Sequence, residues 1–149
     1  MKTHRFHKET WLPHPLEDVF PFFADARNLQ TITPPWLSFR TLTIGEVVMK
    51  EGTRIDYELR VHGISMRWQS EITVWEPPWL FVDKQRRGPY RSWMHEHRFL
   101  DKDGGTLAVD DVRYAVPGGV LVNALFVARD IEKIFQFRTR KLEELFPAL

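Results

Sequence analysis

Four side chains stand where their chemistry is at odds with their neighbours. His95 and His97 lie two apart in an alternating apolar run, and Asp110 lies in the next such run. Arg138 interrupts an apolar helical stripe between Phe135 and Leu142. Residues two apart on a strand share a face, so the two imidazoles point the same way. With a carboxylate to orient it, either histidine could serve as general acid or base, and the guanidinium could stabilise an enolate or carbonyl oxygen. The same groups could instead form a structural lock, an Arg138–Asp110 ion pair with the histidines hydrogen-bonded to it. A third role is to orient one end of an amphipathic ligand. The residue types alone leave these three open. His95-x-His97 with Asp110 also has the makings of a metal site. No acidic ligand follows at a cupin-like spacing, however, and neither a metal nor a cofactor is expected.

Much other chemistry is excluded. The chain of 149 residues contains no cysteine, which removes disulfides, thiolate nucleophiles and thiolate zinc sites. Twenty-one basic residues offset twenty acidic ones and are scattered among them, so no nucleic-acid partner is expected. There is no Gly-rich phosphate loop, Ser nucleophile elbow or paired-carboxylate spacing. Residues 1–9 are polar, and no window approaches the roughly 18 apolar residues of a membrane span. The expectation is a cytoplasmic protein that is not an integral membrane protein. Eleven Phe and six Trp are unusual, and such rings suit a large core or the wall of an apolar cavity.

The elements that must position these groups follow from periodicity. The length predicts a single domain over residues 1–149. Residues 4–12 alternate as a strand, with Phe6 and Trp11 expected on the core side. After Pro13 and Pro15, Leu16, Val19, Phe20 and Phe23 fall at helical spacing, and a second short helix is expected around residues 26–29. Strands are predicted over residues 36–44, 53–61, 64–76, 80–87, 90–100 and 106–115, with turns at Gly52, His62-Gly63, Pro77-Pro78, Gly88-Pro89 and Asp103-Gly104-Gly105. A type I′ turn at Asp103-Gly104 places His97 opposite Asp110; a shifted register places His95 there. Either way Trp93, His95, His97 and Phe99 share a face with Ala108, Asp110, Val112 and Tyr114. The other face carries Glu96, Arg98, Asp111 and Arg113. Residues 120–146 read as one long helix whose stripe runs from Ala124 through Val127, Ala128, Ile131, Ile134, Phe135 and Leu142 to Leu145 and Phe146. A helix this long needs a partner surface, and the ring-bearing face of the sheet is the large one available. A weaker stripe of Val122, Phe126 and Phe137 suggests a homodimer contact or a membrane touch.

This order of elements, together with its motifs, resembles the START-like superfamily, also described as the SRPBCC or polyketide cyclase/dehydrase and lipid-transport group. Within it, the chain is similar to a bacterial branch of small ligand-binding SRPBCC proteins. The likeness is carried by Leu29 with Thr33-Pro34-Pro35, Asp83-x-Gln85-x-x-Gly88-Pro89-Tyr90 and Trp93-x-His95-x-His97-x-Phe99. It continues through Gly105-Thr106, Asp110-x-Val112-x-Tyr114 and Ile134-Phe135 ahead of Arg138. The resemblance implies an α+β helix-grip fold: a curved antiparallel sheet with two short helices, wrapped around one long C-terminal helix. It also implies an internal cavity for a lipid-, polyketide- or isoprenoid-like molecule. It does not imply one activity, because relatives include carriers, cyclases and partners of larger assemblies.

The expected function is therefore binding of a hydrophobic small molecule, as carrier or sensor. The alternative is a cyclase/dehydrase-type enzyme using His95 or His97 with Asp110 and Arg138. The expected pocket draws Trp68 and Phe81 from the central strands, and Trp93, His95, His97 and Phe99 from the next. Asp110, Val112 and Tyr114 come from the last strand, and Ile131, Phe135 and Arg138 from the long helix.

Overall fold

The computed structural model describes residues 2–148. Strand β1 (His4–Leu12) leads into helices α1 (Leu16–Phe23) and α2 (Asn28–Thr31), then a 3₁₀ turn at Pro35–Leu37. Six strands follow: β2 (Arg40–Thr41), β3 (Arg54–Val61), β4 (Ile64–Glu76), β5 (Leu80–Arg87), β6 (Ser92–Lys102) and β7 (Gly105–Ala115). They form one antiparallel sheet in the order β1-β7-β6-β5-β4-β3-β2, so β1 returns to close against the last strand. The chain ends in a long helical segment made of α3 (Gly119–Val122), a π turn at Asn123–Val127 and α4 (Ala128–Leu145). This is the expected helix-grip arrangement.

The β6–β7 hairpin sets the geometry that matters most. Asp103 and Gly104 both adopt positive φ, 51° and 77°, as a type I′ turn requires. Lys102 therefore pairs with Gly105, and His97 lies opposite Asp110. Because side chains alternate, Trp93, His95, His97 and Phe99 join Asp110, Val112 and Tyr114 on the face turned to α4, while Arg98 and Arg113 lie in water. The β3–β4 hairpin closes on an analogous pair, His62 and Gly63, with Val61 opposite Ile64.

Several expectations need correction. Residues 36–44 do not form a strand: Pro35 starts a 3₁₀ turn, Ser38 takes a left-handed conformation, and only Arg40–Thr41 pair with β3. The second short helix lies at Asn28–Thr31, later than expected. Trp11 points outward and donates from Nε1 to the Lys102 carbonyl at 2.8 Å. The reason is parity, since Phe6 and Trp11 are five apart and cannot share a face of one strand. The long helix is not uniformly α. The π turn shifts its phase, so Ala124 is exposed, and Leu145 is exposed at the far end. The proposed second stripe is also split. Phe126 is exposed, Phe137 packs edge-on against Trp36 at 5.9 Å, and Val122 turns to the interior space described below.

Of three apolar clusters among the described residues, two join the sheet to α4. The first gathers Leu12, the α1 residues Leu16, Val19, Phe20 and Phe23, the sheet residues Ile72, Phe81 and Phe99, and Leu142 of α4. The second joins Val112 and Tyr114 of β7 to Ile131 and Phe135 of α4.

Candidate functional site

Between the sheet and α4 lies a cavity of about 850 Å³. Its walls are mostly apolar: Ile55, Tyr57 and Leu59 from β3, Trp68 from β4, Phe81 from β5, Trp93 from β6, and Ile131 and Phe135 from α4. At its mouth His62, in the β3–β4 turn, sits 2.8 Å from Asp130 of α4. At its inner end the wall becomes polar, with Asp83, His95, His97 and Arg138.

The polar end is built by β-sheet register. Asp83 on β5 lies opposite His95 on β6, and Asp110 on β7 lies opposite His97. The hydrogen bonds do not follow these direct pairs but cross them. His97 Nε2 meets Asp83 Oδ2 at 2.5 Å, and His95 Nε2 meets Asp110 Oδ1 at 2.7 Å. The other two approaches are too long for hydrogen bonds: His95 Nδ1 is 3.9 Å from Asp83, and His97 Nδ1 is 3.7 Å from Asp110. The two imidazoles stack with centroids 3.6 Å apart, and Phe81 stacks on the outer side of His97 at 4.1 Å. Two rings thus span two carboxylates, with short and long contacts alternating.

Arg138 descends from α4 onto this ring. Its Nη2 donates to Asp110 Oδ1 at 3.3 Å, and its guanidinium carbon lies 5.6 Å from the ring centroids of both Phe23 and Phe135. The Arg138 side chain is 8% exposed, so its place on the apolar stripe is a genuine burial. It is compensated by Asp110 and by two aromatic faces.

Electrostatics follow from the same contacts. Burial works against ionisation of Asp110, but Arg138 and the hydrogen bond from His95 outweigh it and hold the carboxyl well below the usual carboxylate range. Burial likewise opposes ionisation of Asp83, and the hydrogen bond from His97 with the charges of His95 and Arg138 lowers it nonetheless. Burial, reinforced by His95, lowers His97 to about 4 against the pull of Asp83. Neutral His97 then donates from Nε2 to Asp83, and its Nδ1 is left buried without a partner. Burial, and after it Asp83, raises the Tyr57 phenol above its ordinary value.

The structure divides the expected site residues into two groups. Trp68, Phe81, Trp93, His95, His97, Ile131, Phe135 and Arg138 line the cavity. Phe99, Val112 and Tyr114 are not on its wall: Phe99 packs under α1 and the other two join the cluster beneath α4. Asp110 stands behind the histidines, not among the wall residues. Sequence reasoning gave Asp110 the partnership of both histidines, whereas Asp83 holds His97. The shared face of Asp83 and Gln85 was the available signal. Gln85 takes a different part, bonding the Tyr90 carbonyl and amide at 2.8 and 3.2 Å and so fixing Tyr90 at the cavity wall. Asp83, His95 and His97 are also close enough to share a cation, their nearest ligand atoms lying within 4.8 Å of one another. His97 Nε2 and Asp83 Oδ2 already bind each other, and the imidazoles stack face to face instead of converging on a point.

Comparison with known proteins gives a consistent picture. A family model described as polyketide cyclase / dehydrase and lipid transport matches residues 12–141. No curated protein matches significantly by sequence. Among solved structures, Ara h 8.0201 superposes with a TM-score of 0.72 at 15% identity, over 97% of this chain and 98% of its own. The major latex-like protein 151 of Panax ginseng gives 0.71 at 16% identity, over 97% and 98%. Protein CV1439 of Chromobacterium violaceum gives 0.72 at 16% identity, over 98% of both chains. At these identities the likeness establishes a shared fold. No helix among the described residues is long and apolar enough to cross a membrane.

Proposed function

The chain belongs to the polyketide cyclase / dehydrase and lipid transport family, and from that premise we propose that it acts as one ligand-binding domain over residues 1–149, a carrier or sensor for an apolar molecule of lipid-, polyketide- or isoprenoid-like character. The observation that carries this reading is the cavity of about 850 Å³ between sheet and α4, walled mainly by aromatic and aliphatic side chains. Ligand sites of this size are typically apolar with a few placed polar groups. Apolar surface removed from water there is worth about 25 cal/mol per Å². The purified protein is expected to show a larger mass under native than under denaturing conditions, with a hydrophobic compound released into the extract. No retained compound, and no uptake of a hydrophobic dye at micromolar concentration, would refute it.

The crossed ring of imidazoles and carboxylates favours a second reading, acid–base chemistry of the cyclase or dehydrase type. In it His95 or His97 transfers the proton, Asp83 and Asp110 orient the rings, and Arg138 holds Asp110. Replacing His97 or His95 by Gln separates the two. Turnover lost with binding retained supports chemistry; an unchanged rate removes it.

A further inference from the structure

The two carboxylates at the polar end are not equally compensated. Asp110 has a full positive charge beside it in Arg138, 3.3 Å away. Asp83 has a neutral hydrogen-bond donor, Nε2 of His97. The histidines cannot both supply charge, because rings stacked at 3.6 Å repel when each is protonated. Burial keeps His97 in its neutral form, its pKa lowered to about 4. Asp83 forms one hydrogen bond, through Oδ2; its other oxygen forms none among the described residues. Its side chain is 18% exposed, and Asp83 lines the cavity.

The charged groups that act on Asp83, His95 at 3.9 Å and Arg138, do so from beyond hydrogen-bond distance, and a cation arriving from the cavity would contact the carboxylate directly. The adjoining wall suits a cation as well. Along the same face, Trp93 stands edge-on to His95 at 6.3 Å, Trp68 packs against Trp93 at 5.3 Å, and Tyr90 against Trp93 at 4.8 Å. Aromatic faces are electron-rich and attract ammonium groups. One observation points toward an anionic head group instead, the unpartnered Nε of Arg138, but that atom is buried.

Resting on the cavity reading above, we propose that the ligand is a cationic amphiphile, an apolar body carrying one protonated amine that binds the free oxygen of Asp83 on the side of Trp93. The apolar body then lies along Ile55, Leu59 and Ile131. The test uses the intact chain loaded with the neutral dye N-phenyl-1-naphthylamine, displaced at neutral pH by decylamine, decanol or decanoate. Decylamine is expected to displace the dye at about one tenth of the decanol concentration, the worth of one charge-assisted bond, with decanoate weakest. The Asp83→Asn variant keeps an acceptor for His97 and is expected to bring amine and alcohol within about twofold of each other. Equal displacement by decanol, tighter displacement by decanoate, or an amine preference that survives Asp83→Asn overturns the proposal. If the dye itself does not bind and no competitor does, the cavity reading falls and this inference with it.

Discussion

Under the α1 end of the sheet, Phe20 and Phe23 lie against Phe99 with ring centroids 5.4 and 4.9 Å away, and Phe81 completes the group 6.1 Å from Phe99. At the other end of the cavity-facing sheet surface, Tyr57 of β3, Trp68 of β4 and Trp93 of β6 line the cavity instead. Both regions are supplied by the same sheet face and covered by the same long helix. They differ in the presence of α1, whose Leu16, Val19, Phe20 and Phe23 fill the gap at one end and leave it at the other. Ring content alone does not make a core or a cavity; the third layer decides. The imidazole–carboxylate ring sits on the boundary between them. His97 stacks on Phe81 of the packed side, while His95 meets Trp93 and Phe135 of the hollow side.

The contrast can be tested by substitution. Phe99→Ala in the packed half is expected to cost about 3–5 kcal/mol, because the void cannot collapse in a filled layer. Denaturant unfolding measures it, and a loss under about 1 kcal/mol would mean that the two halves are equally loose. Acid acts at the boundary. His97 is held near 4 in the folded chain and titrates near 6.5 once unfolded, so the unfolded state binds more protons between these values. Stability is therefore expected to fall as pH drops from about 6.5 to about 4, by an amount on the order of 2–3 kcal/mol. His97→Gln removes that slope, and a wild-type profile flat across this window would contradict the neutral state of His97. The smallest effect belongs to the hollow half. Trp68→Leu is expected to cost about 1 kcal/mol or less while changing the size of dye the cavity accepts. A large loss of stability there would show that Trp68 is core and not wall.

How far the sequence reveals this follows from what each turn specifies. The β6–β7 hairpin was legible because Asp103-Gly104 admits a two-residue turn that locks register, and register carries His97 to Asp110. Arg138 was legible because a charge at helical spacing within an apolar stripe must find a partner. Asp83 as the partner of His97 was not. The β5–β6 connection through Gly88-Pro89-Tyr90 sets no register by itself, and the β4–β5 pairing contains shifts at Gln69/Ser70 and Ile72/Val74. The break-up of residues 36–44 into a 3₁₀ turn and a two-residue strand and the π turn were also hidden. The first reads as strand by its apolar content, and the second has no marker in Asn123–Val127. Whether the space between sheet and helix is full or empty depends on side-chain volumes summed across three layers, which no pattern along one segment contains.

The π turn bears on how this chain should be matched to its relatives. A wide turn holds one residue more than an ordinary helical turn, and each residue advances the winding by about 100°. Against a relative whose final helix is unbroken, positions before Asn123 and after Val127 cannot both be aligned without a one-residue gap between them. A gapless alignment anchored on α4 would set Val122, a cavity-wall residue, about 100° around the helix from its counterpart.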